Sequence, residues 1–195
     1  MARMPREIPL RRQPFREPKR TVLIFCGAKR TEPDYFEGLK VSLRTASVTI
    51  KVKREGVDPV RLVRAAADLR DRRPGVYDEV WCVTDADEFD IPAAVSAAKR
   101  RGVNLAVSNP CFEVWLLLHH AECQAHCRGY ADVLSRLKRH VPGYDKTALD
   151  FAVFADRVGD AVERAEKLDP TGTDFGRNPS SGVWMLAKKL MGHKK

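Results

Sequence analysis

Residues 77–90 read Y-D-E-V-W-C-V-T-D-A-D-E-F-D, and this stretch decides the predicted fold class of the chain. Residues 80–84 within it form an apolar run rich in β-branched side chains, with charged residues on both sides. Such a run is typical of a strand buried on both faces, as strands are in parallel sheets. The stretch therefore predicts a central parallel strand of an α/β fold.

Four acidic side chains follow this predicted strand: Asp85, Asp87, Glu88 and Asp90. In open α/β sheets, ligands bind at the loops after the carboxyl ends of the strands. Asp85 and Asp87, two positions apart, are therefore predicted to share a hard divalent cation, Mg²⁺ or Mn²⁺. Acids crowded in this way repel one another unless a positive group joins them. The alternative is a solvated loop in which Asp90 caps the next helix.

The segments around this strand alternate between strand and helix patterns. Alternating strands and helices of these lengths predict an α/β fold with a mostly parallel sheet and helices on both faces. The predicted strands are residues 21–26, 47–53, 79–84 and 103–107, and the predicted helices are residues 33–44, 58–73 and 92–101.

The chain divides into three predicted parts. Residues 1–20 contain four prolines and no hydrophobic periodicity, which predicts a flexible arm. Residues 21–125 form the predicted α/β core. Residues 126–195 predict a helical C-terminal extension packed on this core, with helices near 130–140, near 155–168 and from about 181.

The predicted arm is strongly basic. The chain has 35 basic and 26 acidic residues, a net charge of +9. Seven bases and two acids in residues 1–20 contribute +5 of this charge. We therefore expect a polyanionic partner, RNA or DNA, with Arg11 and Arg12 among its contacts. The alternative is that the arm only aids solubility.

The apolar and cysteine patterns indicate where the protein resides. No run approaches 18 apolar residues, and the first 20 residues contain no apolar signal segment. Cys26 and Cys82 fall within predicted buried strands, and the five cysteines are an odd number. We therefore expect a reduced, cytoplasmic chain without a membrane partner.

Residues 108–120 read S-N-P-C-F-E-V-W-L-L-L-H-H and predict an apolar helix. Pro110 fits its first position, and Ser108 or Asn109 fits its cap. Glu113 lies inside this helix, where a carboxylate must be paired, liganded or protonated. We expect it near the acids of the preceding strand end, because both follow strands at one edge of the sheet. The alternative is a buried ion pair with Arg or Lys.

The next residues raise the question of a zinc site. His119, His120, Cys123, His126 and Cys127 are close in sequence and are all potential zinc ligands. A structural zinc site needs four ligands in tetrahedral geometry, and this spacing matches no standard zinc finger. The alternative interpretation is the end of a helix.

Two loops supply predicted phosphate contacts. Lys29 and Arg30 follow the first strand, and residues 141–147 form a loop in which Tyr144 and Lys146 are expected to be exposed to a ligand. The sequence contains no P-loop, no G-x-G-x-x-G fingerprint and no G-x-S-x-G elbow. NTP hydrolysis by this chain alone is therefore not expected.

Five segments of the chain carry a resemblance to a known family. They are I-F-C-G-A-K-R-T-E-P-D-Y-F (24–36), V-T-D-A-D-E (83–88), residues 108–120, G-Y-D-K-T (143–147) and N-P-S-S-G-V (178–183). Together they resemble the RloB-like proteins, which are AbiL-type abortive-infection components. The resemblance implies a Toprim-related fold, a role in bacterial defence against phage and a partner ATPase. In Toprim enzymes a glutamate after the first strand and a D-x-D after a later strand hold Mg²⁺ for phosphodiester chemistry; the D-x-D corresponds here to Asp85 and Asp87.

The chain departs from this family at one position. RloB-like sequences usually read C-E-G after the first strand, whereas Gly27 stands here in place of the glutamate. Glu32 corresponds to the second acid of that loop, and Glu113 to the helix glutamate. The resemblance thus implies either a metal-dependent nuclease or a chain that kept the fold and lost catalysis.

Three functions follow as hypotheses. The first is a nuclease with Asp85, Asp87 and Glu113 at the metal and Glu32 as a further catalytic carboxylate. The second is a nucleic-acid-binding or ATPase-regulating subunit without catalysis. The third is a phosphoacceptor receiver domain with Asp85 as acceptor, although no lysine on a following strand end completes such a site.

Overall fold

The computed structural model describes residues 21–44, 48–52, 58–86 and 90–192. The predicted arm, with Arg11 and Arg12, lies outside the described residues, and so does Asp87. Within the described ranges the fold is α/β, as predicted, with a mostly parallel sheet between two layers of helices.

The described part of the chain contains five strands and seven α-helices. The strands are β1 (Val22–Cys26), β2 (Val48–Val52), β3 (Glu79–Asp85), β4 (Asn104–Asn109) and β5 (Ser180–Ser181). The helices are α1 (Thr31–Ser42), α2 (Pro59–Asp71), α3 (Ile91–Arg101), α4 (Glu113–Leu118), α5 (Tyr130–Leu137), α6 (Val158–Leu168) and α7 (Val183–Gly192).

The strand order β2-β1-β3-β4-β5 creates a topological switch point. β1 lies between β2 and β3 and is parallel to both, so the chain leaves β1 in one direction and later returns past it to β3. In doubly wound sheets the crevice at such a point is the usual ligand site. The carboxyl ends of β1 and β3 therefore mark the place where a functional site is expected.

Alternate residues of β1 pack into two different hydrophobic clusters. Val22 and Ile24 face a cluster formed with α1 and α4–α7, whereas Leu23 and Phe25 face a cluster formed with α2 and α3. This is the period of two that a strand imposes on its side chains. All five residues of β1 are buried, which explains why its sequence is continuously apolar.

The helix predicted from Pro110 begins later than expected. Ser108 and Asn109 belong to β4, where they pair with β5, and α4 starts at Glu113. The Ser108 Oγ lies 2.9 Å from the Oγ of Ser181, so these hydroxyls bond across strands instead of capping a helix. The prediction of a cap at these residues was wrong because their partner lies more than 70 positions away in the chain.

The other helices agree with their predictions to within a few residues. Asp58 caps α2 by accepting from the Val60 N–H, and Asp90 caps α3 by accepting from the Ala93 N–H. The capping role considered for Asp90 is therefore confirmed. Among the described residues, no helix is long and apolar enough to cross a membrane.

Candidate active site

The switch point is built on two adjoining strand ends. The Gly27 N–H, just after β1, donates to the Val83 carbonyl of β3 at 3.0 Å. Asp85 is the last residue of β3 and is half-buried. The next amide, that of Ala86, donates to the Ser108 carbonyl at 2.8 Å, which fixes the loop against β4. The backbone thus holds Asp85 at the carboxyl edge of the sheet.

Glu113 is the first residue of α4, and its side chain is buried with 5% of its surface exposed. The hydroxyl of Tyr144 donates to its Oε1 at 2.8 Å. The buried Glu113 carboxylate requires a polar partner, and Tyr144, from the loop at residues 143–147, supplies it. Tyr144 itself is only 7% exposed, so the expectation that this side chain is exposed was wrong. Its hydroxyl is directed inward because Glu113 accepts its hydrogen bond.

Cys111 links Glu113 to the end of β3. Burial first, and then the charges of Glu113 and Asp85, raise the pKa of the Cys111 thiol well above its usual range. Both carboxylates therefore contribute to the electrostatics of the same thiol. The proximity expected between Glu113 and Asp85 stays a prediction.

Glu32, in the first turn of α1, is the most buried of these acids, with 2% of its surface exposed. The pKa of its carboxyl is raised from 4.5 to about 7, chiefly by burial and also by the charge of Glu113, against the opposing effect of hydrogen bonds from the backbone N–H groups of Glu32 and Ala28. Its Oε2 is buried and has no hydrogen-bond partner within the described part of the chain. We call Glu32, Asp85 and Glu113 the acidic site.

The loop at residues 143–147 is fastened to the start of α1, beside Glu32. The Thr31 hydroxyl donates to the Lys146 carbonyl at 3.0 Å, and Arg30 Nη1 donates to the Thr147 carbonyl at 3.1 Å. These bonds explain how Tyr144 is placed over Glu113. No side chain caps α1, and the Thr31 hydroxyl in its first turn is used for the contact with this loop.

Three of the predicted phosphate-binding side chains, Lys29, Arg30 and Lys146, are on the surface. Lys29 and Arg30 lie in the loop between β1 and α1. The Lys146 Nζ lies 5.0 Å from the centre of the Tyr130 ring, a cation–π contact. The hydrogen bonds from the Arg30 and Thr31 side chains to carbonyls of the 143–147 loop hold Arg30 and Lys146 at one rim of the acidic site.

The five potential zinc ligands do not converge. His119 is fully buried, where Nδ1 donates to the Trp115 carbonyl at 2.9 Å and Nε2 accepts from the Tyr35 hydroxyl at 3.0 Å. Burial lowers the pKa of His119 to about 3, so it is a neutral core residue. Over the described ranges, no three His, Cys, Asp or Glu side chains are grouped to hold a metal. His119 at least is excluded as a zinc ligand.

The acidic site supplies carboxylate oxygens, but within the described part of the chain its three acids are not grouped to hold a metal by themselves. Carboxylate oxygens are the ligands that Mg²⁺ and Mn²⁺ prefer. The buried Oε2 of Glu32, which lacks a hydrogen-bond partner within the described ranges, fits a group that binds a proton or a cation. Asp87, the second aspartate of the D-x-D, lies outside the described residues, so its role as a ligand stays a prediction.

Sequence reasoning missed the roles of Tyr144 and Cys111. The pairing of Tyr144 with Glu113 joins residues 31 positions apart, and no periodic pattern predicts it. The one available signal was the G-Y-D-K-T segment of the resemblance, in which Tyr144 was taken as a ligand contact. Cys111 lies in the segment resembling S-N-P-C-F-E and was given no role of its own.

The fold and the site together define a class: a doubly wound α/β domain with buried carboxylates at its switch point. The RloB-like protein family matches residues 22–190, and the chain belongs to this family. No significant match to the chain was found among curated proteins, and none among solved structures.

Proposed function

We propose that this chain is the effector of a phage-defence system of the abortive-infection type. In this proposal it is a Toprim-like nuclease of the cytoplasm that uses Mg²⁺ or Mn²⁺ to cleave RNA or DNA and acts with a partner ATPase. The observation that supports the proposal is that Glu32, Asp85 and Glu113 follow or end the neighbouring strands β1, β3 and β4 at their carboxyl ends. Membership of the RloB-like family supports it.

The carboxylates would have different roles. Asp85 and Asp87, with Glu113, would hold the cation, which supplies a water of lowered pKa and stabilises charge on the scissile phosphate when bound. Tyr144 orients Glu113 through its hydroxyl. Glu32, with a pKa of about 7, can take a proton from that water at neutral pH and later release it.

The exposed bases at the rim would hold the nucleic-acid backbone. Lys29, Arg30 and Lys146 are exposed and lie on the two loops that enclose Glu32 and Glu113. Charged donors of this kind bind phosphate oxygens strongly. The arm, with Arg11 and Arg12, would add sequence-independent attraction to the phosphates that follow.

Gly27 favours a second candidate function. The position lacks the carboxylate that its family usually carries, so the chain would be a catalytically degenerate subunit that binds nucleic acid or regulates the ATPase. A Cβ at Gly27 would lie 3.4 Å from the Val83 carbonyl oxygen, 3.5 Å from Thr84 Oγ1 and 3.8 Å from Leu62 Cδ2. These distances leave room for a side chain with small adjustments, so the glutamate can be restored and tested.

The test compares variants of the full chain for cleavage of labelled RNA and DNA, with Mg²⁺ or Mn²⁺ and with or without the partner ATPase. Asp85→Ala, Asp87→Ala and Glu113→Gln are expected to abolish cleavage. Glu163→Gln, on the exposed surface of α6, is the control and is expected to cleave normally. Cleavage that survives all three changes would refute the nuclease assignment.

Restoring the missing glutamate separates the two candidate functions. If the chain is a nuclease, it cleaves without further change, and Gly27→Glu alters the rate without being required. If the wild type is inert and Gly27→Glu gains cleavage, the degenerate subunit is the correct function. Binding of the same labelled nucleic acid, measured in parallel, shows whether an inert chain still binds.

A further inference from the structure

Two cysteines face each other in the loop between α4 and α5. The Sγ atoms of Cys123 and Cys127 lie 3.7 Å apart, and both side chains are buried. The other cysteines, Cys26, Cys82 and Cys111, lie in the sheet or just after it, away from this loop. The pair plays no part in the acidic site and had been considered only for zinc.

Arg136 of α5 holds this loop in place and supplies positive charge beside one sulfur. Its Nη1 donates to Cys123 Sγ at 3.4 Å and to the Ala125 carbonyl at 3.1 Å, and its Nη2 donates to the His126 carbonyl at 3.1 Å. The same guanidinium is ion-paired with Asp132, whose Oδ2 accepts from Nη2 at 2.9 Å. Arg136 thus fixes the position of Cys123 within the loop.

Cys123 also borders an open cleft, whereas Cys127 lies behind it. The cleft has a volume of about 330 Å³, large enough for a small oxidant, and its wall includes Arg164, Lys167 and Arg177. Burial raises the pKa of Cys127 to about 12, so this thiol stays protonated at neutral pH. Cys123 is therefore favoured as the nucleophile of the pair because it lines the cleft, and Cys127 is the adjacent thiol.

We propose that Cys123 and Cys127 are a redox-modification site that forms a reversible disulfide with hydrogen peroxide as oxidant. The Cys123 thiol gives its proton to solvent and attacks one peroxide oxygen. The O–O bond breaks, the departing hydroxide takes up a proton from solvent, and Cys123 sulfenic acid and one water result. Cys127 then attacks the sulfenic sulfur, gives up its proton and expels the second water as the S–S bond forms. Two thiols are oxidised by two electrons, and one peroxide is reduced to two waters.

Formation of the disulfide requires a small movement of the two sulfur atoms, and hydrogen bonds connect Cys127 to the segment that leads into β5. Bonded sulfurs are about 2.05 Å apart, so the two Sγ atoms must approach by roughly 1.6 Å. Asn178 holds Cys127 on both sides: its Oδ1 accepts from the Cys127 N–H and its Nδ2 donates to the Cys127 carbonyl, each at 2.9 Å. Two residues later the chain forms β5 on the edge of β4. We therefore expect oxidation to disturb β5.

The modification is tested on the purified full chain, whether or not it cleaves nucleic acid. After peroxide treatment and alkylation of free thiols, cleavage after Glu122 and Arg128 releases the peptide Cys123–Arg128, which contains only these two cysteines. The expected peptide is unalkylated and lighter by two hydrogen atoms, and dithiothreitol restores two alkylatable thiols. Two alkylated thiols after peroxide, or a Cys123 sulfinic acid beside a free Cys127, would overturn the proposal.

Serine variants assign the two roles. Cys123→Ser is expected to slow loss of the Cys127 thiol by about tenfold or more, because the thiol that lines the cleft is gone. Cys127→Ser is expected to leave Cys123 as a sulfenic acid that a dimedone probe captures. Cys82→Ser, inside β3, is the control and should leave disulfide formation unchanged. Equal rates in Cys123→Ser and wild type would refute the assigned nucleophile.

Hydrogen exchange measures the link to β5. Oxidation is expected to speed amide exchange in residues 178–182 several-fold and to leave exchange in β1 unchanged. Unchanged exchange in residues 178–182 with the disulfide formed would overturn the link to β5.

Discussion

The carboxyl of Glu32 makes the stability of this protein depend on pH. Its folded pKa of about 7 lies above the ordinary value of 4.5, so the folded state binds more protons than the unfolded state between these two values. The stability that protonated Glu32 contributes is full below pH 4.5 and is lost as the pH rises through 7. Each pKa unit corresponds to about 1.4 kcal/mol.

Glu32→Gln is therefore expected to stabilise the protein more at pH 8 than at pH 5, by about 2 kcal/mol, since glutamine carries no charge to bury. Urea unfolding at the two pH values measures the difference. Glu163→Gln on the exposed face of α6 is the control and should show no such dependence. An equal effect of Glu32→Gln at both pH values would mean that Glu32 is ionised in the folded protein throughout.

Tyr144→Phe tests the hydroxyl that holds Glu113. The change removes the donor to a buried carboxylate oxygen, and we expect a loss of about 1–3 kcal/mol in the free energy of unfolding. Tyr130→Phe keeps the ring beneath Lys146 and should change stability by less than about 0.5 kcal/mol. If Tyr144→Phe lowers the free energy of unfolding no more than Tyr130→Phe does, the Tyr144 hydroxyl does not stabilise Glu113.

The sequence predicted the acids of the site better than their partners. Burial of Glu113 follows from its apolar neighbours, and this burial demands a polar partner wherever the chain supplies one. Tyr144 supplies it because Thr31 and Arg30 bind the carbonyls of its loop. Those hydrogen bonds join a side chain to a main-chain carbonyl more than 110 residues away. Neither the hydrophobic periodicity of the sequence nor the spacing of its motifs can predict them.

At the scale of elements, two glycines in helices differ in the space that is available for an added side chain. A Cβ at Gly38 in α1 would collide with Phe151, whereas a Cβ at Gly159 in α6 would meet open space. Alanine normally stabilises a helix interior over glycine by up to about 1 kcal/mol. At Gly38 the collision outweighs this gain, because overpacking costs about 1–3 kcal/mol.

Gly38→Ala is therefore expected to lower the melting temperature, and Gly159→Ala to raise it slightly. Thermal unfolding followed by circular dichroism compares the pair directly. A stabilised Gly38→Ala would show that Phe151 moves aside without cost, and would contradict close packing between α1 and residues 151–153.

Local patterns predicted the four parallel strands but not β5. β1 and β3 are apolar along their length because both faces are covered, and such runs are visible in sequence. β5 has only two serines and exists because β4 offers an open edge. Its pairing depends on the position of the whole C-terminal region, which no local window contains.

At the scale of the whole molecule, the charge distribution predicts how the arm acts. Deleting residues 1–19 removes six of its seven bases and both acids, a change of −4 in net charge. We expect weaker binding to nucleic acid and a flatter salt dependence, by roughly 0.7 to 0.9 in the log–log slope per lost phosphate contact. Binding of labelled RNA and DNA between low and physiological salt measures the slope. An unchanged slope would assign the arm a different partner, such as the ATPase.

The order in which the ribosome makes this chain has a consequence for α4. All six residues of α4 are buried, and three of the helices that pack with them in one cluster, α5, α6 and α7, follow α4 in the chain. A nascent chain that ends before residue 144 carries Glu32, Asp85 and Glu113 without the tyrosine that holds Glu113. The acidic site is thus completed only after residue 144 has been synthesised, and until then α4 lacks three of the helices that cover it.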